Sequence, residues 1–194
     1  MINAIILAAG RSRRMGTQKL LLPLGGRSVI ARIVDEVLRS PVDRIFVIIG
    51  PDGSRIVEAL SGRRVDFVTN PDPEAEMLSS VRCGLRTMPP DCDAVLVVLG
   101  DQPGITADVI TVLVQAFQTC GRGIVVPTYN TKRGHPTLIS MHYRDEILNH
   151  YQDVGLRGVL QAHLEDIFEV EISTPNIIED MDLHEDYERE LNKL

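Results

Sequence analysis

Aromatic residues are scarce in this sequence: they make up 4% of its 194 residues, and tryptophan is absent. A hydrophobic core must therefore be built mainly from Val, Ile, Leu and Ala. Cysteine is also rare, and none of Cys83, Cys92 and Cys120 belongs to a CxxC pair, so the sequence indicates no zinc site. Three free thiols in a reducing compartment are the simplest interpretation.

Basic residues are fewer than acidic ones, so the formal net charge is -7 and the isoelectric point is about 5.2. This argues against a protein whose main task is to bind the backbone of DNA or RNA, although a local cluster of Arg and Lys can still hold a small anion. The sequence lacks the run of about 18 apolar residues that a membrane helix needs, and its beginning lacks a signal-peptide pattern. We therefore expect a cytoplasmic protein with neither a nucleic acid nor a membrane as partner.

Short apolar runs alternate with amphipathic stretches along the chain. The predicted strands are 4–7, 45–49, 65–68, 94–99, 124–126, 137–139 and 168–172. The predicted helices are 28–39, 54–60, 78–86, 106–119, 144–151, 156–164 and 185–194. Continuous apolar strands are typical of a sheet covered on both faces, and the alternation favours βαβ units with a mostly parallel sheet. The length fits one domain spanning 1–194, and ligands of such folds bind at the carboxyl ends of the strands.

The most informative segment, LAAGRSRRMGTQK at 7–19, follows the first predicted strand. Its two glycines let the backbone approach a ligand closely, and its two alanines leave room beside that ligand. Its three arginines and one lysine suit a triphosphate. The segment is not a P-loop, which needs Lys directly after the second Gly, and it is not GxGxxG. If the segment does not bind a ligand, the alternative interpretation is a basic surface loop between a strand and a helix.

The longer pattern LAAGxSxRMGxxKxLLPLxG resembles the signature of the MobA-like nucleotidyltransferases, and it looks closest to their molybdenum cofactor cytidylyltransferase branch. Four further motifs follow in family order: GDQP at 100–103, RGHP at 133–136, DxGxR at 153–157 and DMDxxEDY at 180–187. Together they cover nearly the whole chain. The resemblance implies an α/β fold, a Rossmann-like three-layer α/β/α sandwich known as the nucleotide-diphospho-sugar transferase fold.

The reaction that this resemblance implies is attack of an acceptor phosphate on the α-phosphorus of a nucleoside triphosphate, with release of pyrophosphate. Because a phosphate monoester is already a nucleophile, the protein has only to position the reactants and stabilise charge. The leading hypothesis is transfer of CMP from CTP to molybdopterin with Mg²⁺ as cofactor and a molybdoenzyme as recipient of the product. LAAG favours this branch, because the guanylyl branch typically has LAGG.

The resemblance also assigns residues to the nucleotide: Leu7, Ala8, Ala9, Gly10, Arg14, Gly16, Lys19, Ser79 and Ser80. The first three would border the base, Arg14 and Gly16 would cradle the β and γ phosphates, and Lys19 would lie near the α-phosphate. Ser79 and Ser80 belong to a segment that resembles the loop contacting base and ribose. Their alternative role is to cap the predicted helix 78–86.

Carboxylates in two motifs are the candidate metal ligands. Asp101 follows the apolar strand 94–99, where an oxygen ligand suits Mg²⁺, and with Lys19 and Arg14 it completes the predicted catalytic set. Its alternative role is a backbone bond within a turn. The resemblance implies a second ligand at Asp182, or at Asp180 on the same side of an extended segment. The alternative is that one of these two aspartates only caps the last helix.

The acceptor is assigned to His135, Asp153 and Arg157 through the RGHP and DxGxR motifs. His135 has the alternative role of a general base or metal ligand, and Arg157 that of a solvated charge. The remaining histidines, for which no motif is found, are interpreted as surface residues: His142, His150, His163 and His184.

Two other functions compete with transfer to molybdopterin. One is transfer to a sugar phosphate or another phosphorylated alcohol by an enzyme of the same superfamily. The other is a non-catalytic nucleotide-binding protein that delivers a cofactor, which would bind nucleotide without releasing pyrophosphate. Loss of Asp101 or Lys19 would favour this last function, but the sequence retains both.

Overall fold

A computed structural model of the protein describes residues 1–10, 18–72 and 76–193. Its strands are β1 (Ile2–Ala8), β2 (Pro23–Leu24), β3 (Arg27–Ser28), β4 (Ile45–Ile49), β5 (Asp66–Thr69), β6 (Ala94–Leu99), β7 (Ile124–Tyr129), β8 (Lys132–Arg133), β9 (Thr137–Ser140) and β10 (Ile167–Glu171). Its α-helices are α1 (Val29–Leu38), α2 (Ser54–Ala59), α3 (Met77–Thr87), α4 (Ala107–Cys120), α5 (Arg144–Asn149), α6 (Arg157–Ala162) and α7 (His184–Leu191).

One large sheet runs through the part of the chain that the structure describes. Seven strands follow the order β10-β7-β9-β6-β1-β4-β5, and β8 pairs with β7 at one side. Strand β1 is parallel to both β4 and β6, β4 is parallel to β5, and β10 is parallel to β7. Strand β9 is antiparallel to its neighbours β6 and β7. The predicted mostly parallel sheet is therefore confirmed.

The central strands are apolar along their whole length because both faces of the sheet are covered. In β1, Ala4, Ile6 and Ala8 belong to one core and Ile5 to the other, as the alternation of side chains along a strand requires. Each fully buried Ile contributes about 1.5–3 kcal/mol of transfer free energy. The helices α1, α2 and α4 contribute to the first core, and α3, α5 and α6 to the second. The predicted three-layer α/β/α architecture is confirmed.

Two long helices, α1 and α4, begin with N-cap residues whose hydroxyl groups bond the first turn. The Ser28 hydroxyl accepts a hydrogen bond from the Ala31 amide at 3.3 Å, and the Thr106 hydroxyl accepts one from Val109 at 3.4 Å. Helix α4 ends at Cys120 and is capped by Gly121, whose backbone is left-handed with φ 65°. Within the described ranges, no helix combines the length and the apolar character needed to cross a bilayer.

The region between α5 and α6 differs from the predicted helices. Helix α5 ends at Asn149 and α6 begins at Arg157, and α6 is followed by a 3-10 turn at Leu164–Asp166. Two left-handed residues, Tyr151 at φ 75° and Gly155 at φ 68°, separate the helices. A single left-handed residue interrupts a right-handed helix, which explains why the predicted helix 144–151 is shorter in the structure.

Candidate active site

The turn after β6 lies directly against the end of β1. The Gly100 amide donates a hydrogen bond to the Leu7 carbonyl oxygen at 3.0 Å. A Cβ atom at Gly100 would lie only 2.4 Å from that oxygen, so the close approach requires glycine. The GDQP turn and the first motif therefore meet at the carboxyl ends of adjacent parallel strands, where ligands bind in such sheets.

An ion-paired group lies at this junction. The Lys19 ammonium donates to Asp101 Oδ2 at 2.6 Å and to Asp182 Oδ1 at 2.8 Å. The Lys19 side chain is 12% exposed. Burial lowers the pKa of the Lys19 ammonium, but its contacts with Asp101 and Asp182 outweigh burial and leave that pKa raised. Three residues that are far apart in the sequence, each predicted for the site, are thus in direct contact.

A backbone hydrogen bond joins the C-terminal segment 180–187 to the GDQP turn. The Met181 amide donates to the Asp101 carbonyl oxygen at 2.9 Å. The Asp186 carboxylate accepts hydrogen bonds from the Asp182 amide at 3.0 Å and from the Leu183 amide at 2.7 Å. Asp186 therefore holds the start of α7, and the alternative that Asp180 or Asp182 caps this helix is wrong.

The chemistry of the carboxylates fits a hard divalent cation. Partial burial raises the pKa of Asp180, and repulsion from Asp101 and Asp182 raises it further, so the three carboxylates lie close enough to affect one another. Among the described residues, however, no group of three His, Cys, Asp or Glu is placed to hold a metal ion. The arrangement suits Mg²⁺, which commonly takes one or two protein carboxylates and completes its shell with substrate phosphates and water.

A cavity of about 300 Å³ opens beside these carboxylates. It is lined by Leu7, Ala9, Gly10, Met77, Ser80, Leu99, Gly100, Asp101, Asp180 and Asp182. Ala8, the last residue of β1, lines a neighbouring cavity of about 380 Å³, which Ala9, Gly10, Gln18 and the loop 50–53 also border. Seven residues predicted for nucleotide or metal therefore line one cavity, whereas Ala8 is not among its lining residues. Arg14 and Gly16, also predicted for the nucleotide, lie outside the described residues.

Ser79 and Ser80 are held by a residue that the sequence analysis missed. The amide nitrogen of Asn70 donates to the Ser79 hydroxyl at 3.0 Å and to the Ser80 hydroxyl at 3.2 Å. Helix α3 has Glu76 as its N-cap residue, so the interpretation of the two serines as helix caps is wrong. Asn70 is 1% exposed. Its position two residues after the predicted strand 65–68 was the available signal, since polar residues at strand ends often face a ligand.

Of the three predicted acceptor residues, His135 lies beside the C-terminal segment and close enough to Asp101 to feel its charge. The His135 amide donates to the Ile177 carbonyl oxygen at 2.8 Å, and the His135 Nδ1 atom is buried without a hydrogen-bond partner in the described part of the chain. Burial lowers the pKa of His135, although the Asp101 charge opposes this effect. The ring is therefore neutral near pH 7. Asp153 and Arg157 are exposed, and the Arg157 charge also lowers the His135 pKa.

The turn that carries Asp153 is held by a cluster without a sequence motif. The Glu146 carboxylate accepts a hydrogen bond from the Tyr151 hydroxyl and contacts His163 Nε2 at 2.9 Å. The contact with Glu146 raises the pKa of Tyr151 to about 12. The Gly155 amide donates to the Tyr151 carbonyl oxygen at 2.9 Å. His163 is therefore half-buried and paired, contrary to the prediction. The other three histidines assigned to the surface are exposed: His142, His150 and His184.

Comparison with known proteins identifies related sequences and folds. The sequence model of the MobA-like NTP transferase domain matches residues 4–167. The molybdenum cofactor cytidylyltransferase of Escherichia coli K12 is 27% identical over 188 residues, which are 96% of this chain and 93% of that protein. The bifunctional protein GlmU of Mycolicibacterium paratuberculosis is 32% identical over 133 residues, which cover 64% of this chain but only 27% of GlmU. A nucleotidyl transferase from Methanothermobacter thermautotroptrophicus is 28% identical over all of this chain and 97% of the other, with a TM-score of 0.86.

Proposed function

Because this chain belongs to the MobA-like NTP transferase domain family and is a nucleotidyltransferase of the nucleotide-diphospho-sugar transferase fold, we propose that it transfers CMP from CTP to molybdopterin. Pyrophosphate is the second product. The observation that carries the proposal is the contact of Lys19 with Asp101 and Asp182 beside the cavity bordered by Leu7, Ala9 and Gly10. The similarity to a molybdenum cofactor cytidylyltransferase extends over 96% of the chain and supports this acceptor.

In this proposal the nucleotide occupies the cavity with its phosphates toward the carboxylates. Lys19 balances negative charge at the α-phosphate, where charge builds up during transfer. Asp101 and Asp182 hold Mg²⁺, with Asp180 beside them. When bound, the cation supplies positive charge that neutralises the phosphates. Arg14 and Gly16 remain predicted phosphate contacts.

The nucleoside is placed by backbone and small polar groups. Leu7 and Ala9 border the base in the proposed complex, and Ala8 lies between them in the sequence. Ser79 and Ser80, oriented by Asn70, present hydroxyl groups that donate and accept hydrogen bonds. Their positions in the first turns of α3 make them rigid, which favours selection of a base by hydrogen bonds over a purely apolar pocket.

The acceptor phosphate is assigned to the side of His135, Asp153 and Arg157. A neutral His135 ring donates or accepts a hydrogen bond, and Arg157 offers a positive charge. A molybdoenzyme is the proposed recipient of the product. Both side chains recognise a phosphate rather than the rest of the acceptor, so a sugar phosphate or other phosphorylated alcohol is the second candidate.

The experiment that tests the proposal measures pyrophosphate release with Mg²⁺ and molybdenum-loaded molybdopterin, comparing CTP, GTP, ATP and UTP. We expect release with CTP and at least about 100-fold less with the other three, as is typical of a site that reads the base through hydrogen bonds. Release with GTP instead would contradict the base assignment. Release with CTP only when a sugar phosphate replaces molybdopterin would favour the second candidate.

A further inference from the structure

Lys19 occupies the space between the two proposed metal ligands. Its ammonium nitrogen is 2.6 Å from Asp101 Oδ2 and 2.8 Å from Asp182 Oδ1, and its side chain is largely buried. A divalent cation bound to the same two oxygens would bring two positive charges close to this ammonium. Repulsion between charges at such a distance is strong in a site partly shielded from water. The ammonium and a metal ion therefore compete for these two oxygens.

We propose that Lys19 exchanges partners during nucleotide binding. In the free protein its ammonium neutralises Asp101 and Asp182, and it leaves them when a divalent cation and a nucleoside triphosphate bind together. This inference rests on the proposed function of the same site. The triphosphate makes the exchange favourable, because its oxygens supply a new anionic partner for the lysine and additional ligands for the cation.

The composition of the site supports joint binding of the two ligands. The described residues contain no group of three side chains placed to hold a metal ion, so they leave coordination positions of a cation at Asp101 and Asp182 that nucleotide or water oxygens would fill. Without nucleotide, a cation would displace Lys19 and gain few ligands in return. Metal affinity is therefore low in the free protein and rises when nucleotide is present. By thermodynamic linkage, the metal raises nucleotide affinity by the same factor.

The test measures binding of Mn²⁺ to the full-length protein without nucleotide, with free Mn²⁺ followed by electron paramagnetic resonance. Lys19→Met keeps the length of the side chain and removes its charge. Lys132→Met is the matched control, because it removes the same charge from an exposed position on β8. We expect Lys19→Met to bind Mn²⁺ about tenfold more tightly than the parent, within the usual range of coupling between two ligands. Lys132→Met should match the parent.

Two outcomes would overturn the exchange. If Lys19→Met binds Mn²⁺ no more tightly than Lys132→Met, while Asp101→Asn weakens binding, then the metal site exists but Lys19 does not compete for it. If Asp101→Asn leaves Mn²⁺ affinity unchanged in both the parent and the Lys19→Met background, the proposed metal site itself is wrong. Should Lys19→Met fail to fold by circular dichroism, Lys19→Gln removes the charge while keeping hydrogen-bond donors, and the same gain is expected.

Discussion

Gly100 offers the most direct test of how the site is assembled. Its amide bonds the Leu7 carbonyl oxygen at 3.0 Å, and a Cβ atom would lie 2.4 Å from that oxygen, below the 3.0 Å that such contacts require. The Leu7 backbone cannot move aside cheaply, because β1 is paired with β4 on one side and β6 on the other. The Gly100→Ala substitution must therefore push the end of β6 away from β1.

The cost of this substitution follows from two effects. Overpacking in a tight interior costs about 1–3 kcal/mol, and loss of the hydrogen bond to Leu7 adds about 1 kcal/mol. We expect Gly100→Ala to lower the free energy of unfolding by about 3 kcal/mol. For a chain of this length, that corresponds to a fall in Tm of about 6–12 °C. Differential scanning calorimetry measures the change.

Gly10→Ala is a matched control, since a Cβ atom there meets nothing within 4 Å among the described residues. Its free energy of unfolding should change by less than about 0.5 kcal/mol. The folded fraction of Gly100→Ala should also lose nucleotidyl transfer, because Asp101 moves with the turn. A Tm within about 2 °C of the parent would refute the reasoning, since it would mean that the turn accepts a side chain without moving.

Three further predictions concern the site and the stability of the fold. Asp101→Asn should keep the fold by circular dichroism and reduce pyrophosphate release at least about 100-fold; full activity would remove Asp101 from the proposed catalytic set. Asn70→Ala leaves two serine hydroxyls without their partner, so urea unfolding should show a loss of about 1–3 kcal/mol, with an increased KM for nucleotide and little change in kcat. Hydrogen bonds from Arg63 lower the pKa of Asp35, so its stabilising effect is present above the unfolded-state pKa and is lost as the pH falls through the lower folded-state pKa. Asp35→Asn should therefore cost about 1 kcal/mol at pH 6 and less at pH 3 in urea titrations, and an equal cost at both values would contradict this role.

The sequence was sufficient for the class of fold and for most element boundaries. Strand β4 and strand β6 match the predicted ranges, and helices α1 and α4 each begin one residue after the predicted start. These features depend on short-range patterns: apolar runs, helical spacing and side chains that bond the nearest backbone amides. Because such interactions span only a few residues, they can be predicted from the sequence alone.

Several features depended on contacts between distant segments. Tyr151 adopts a left-handed backbone beside Glu146, which shortened a predicted helix. Asn70 became important only because α3 packs where its two serines reach that amide. The residues next to Tyr151 and Asn70 in the sequence do not indicate which distant side chains they contact. Sequence periodicity therefore did not identify these two contacts.

The sequence by itself determined which chemical groups are available to the site, because the motifs from 7–19 to 180–187 contain a lysine and several aspartates in family order. Only the tertiary structure decided that Lys19, Asp101 and Asp182 touch, that Ala8 does not line the cavity beside the carboxylates, and that Asp186 rather than Asp182 holds the last helix. Residue types and spacing are local properties of the chain. Hydrogen bonds, ion pairs and shared metal ions form only between side chains a few ångströms apart. The packing of the parallel strands sets those distances between segments.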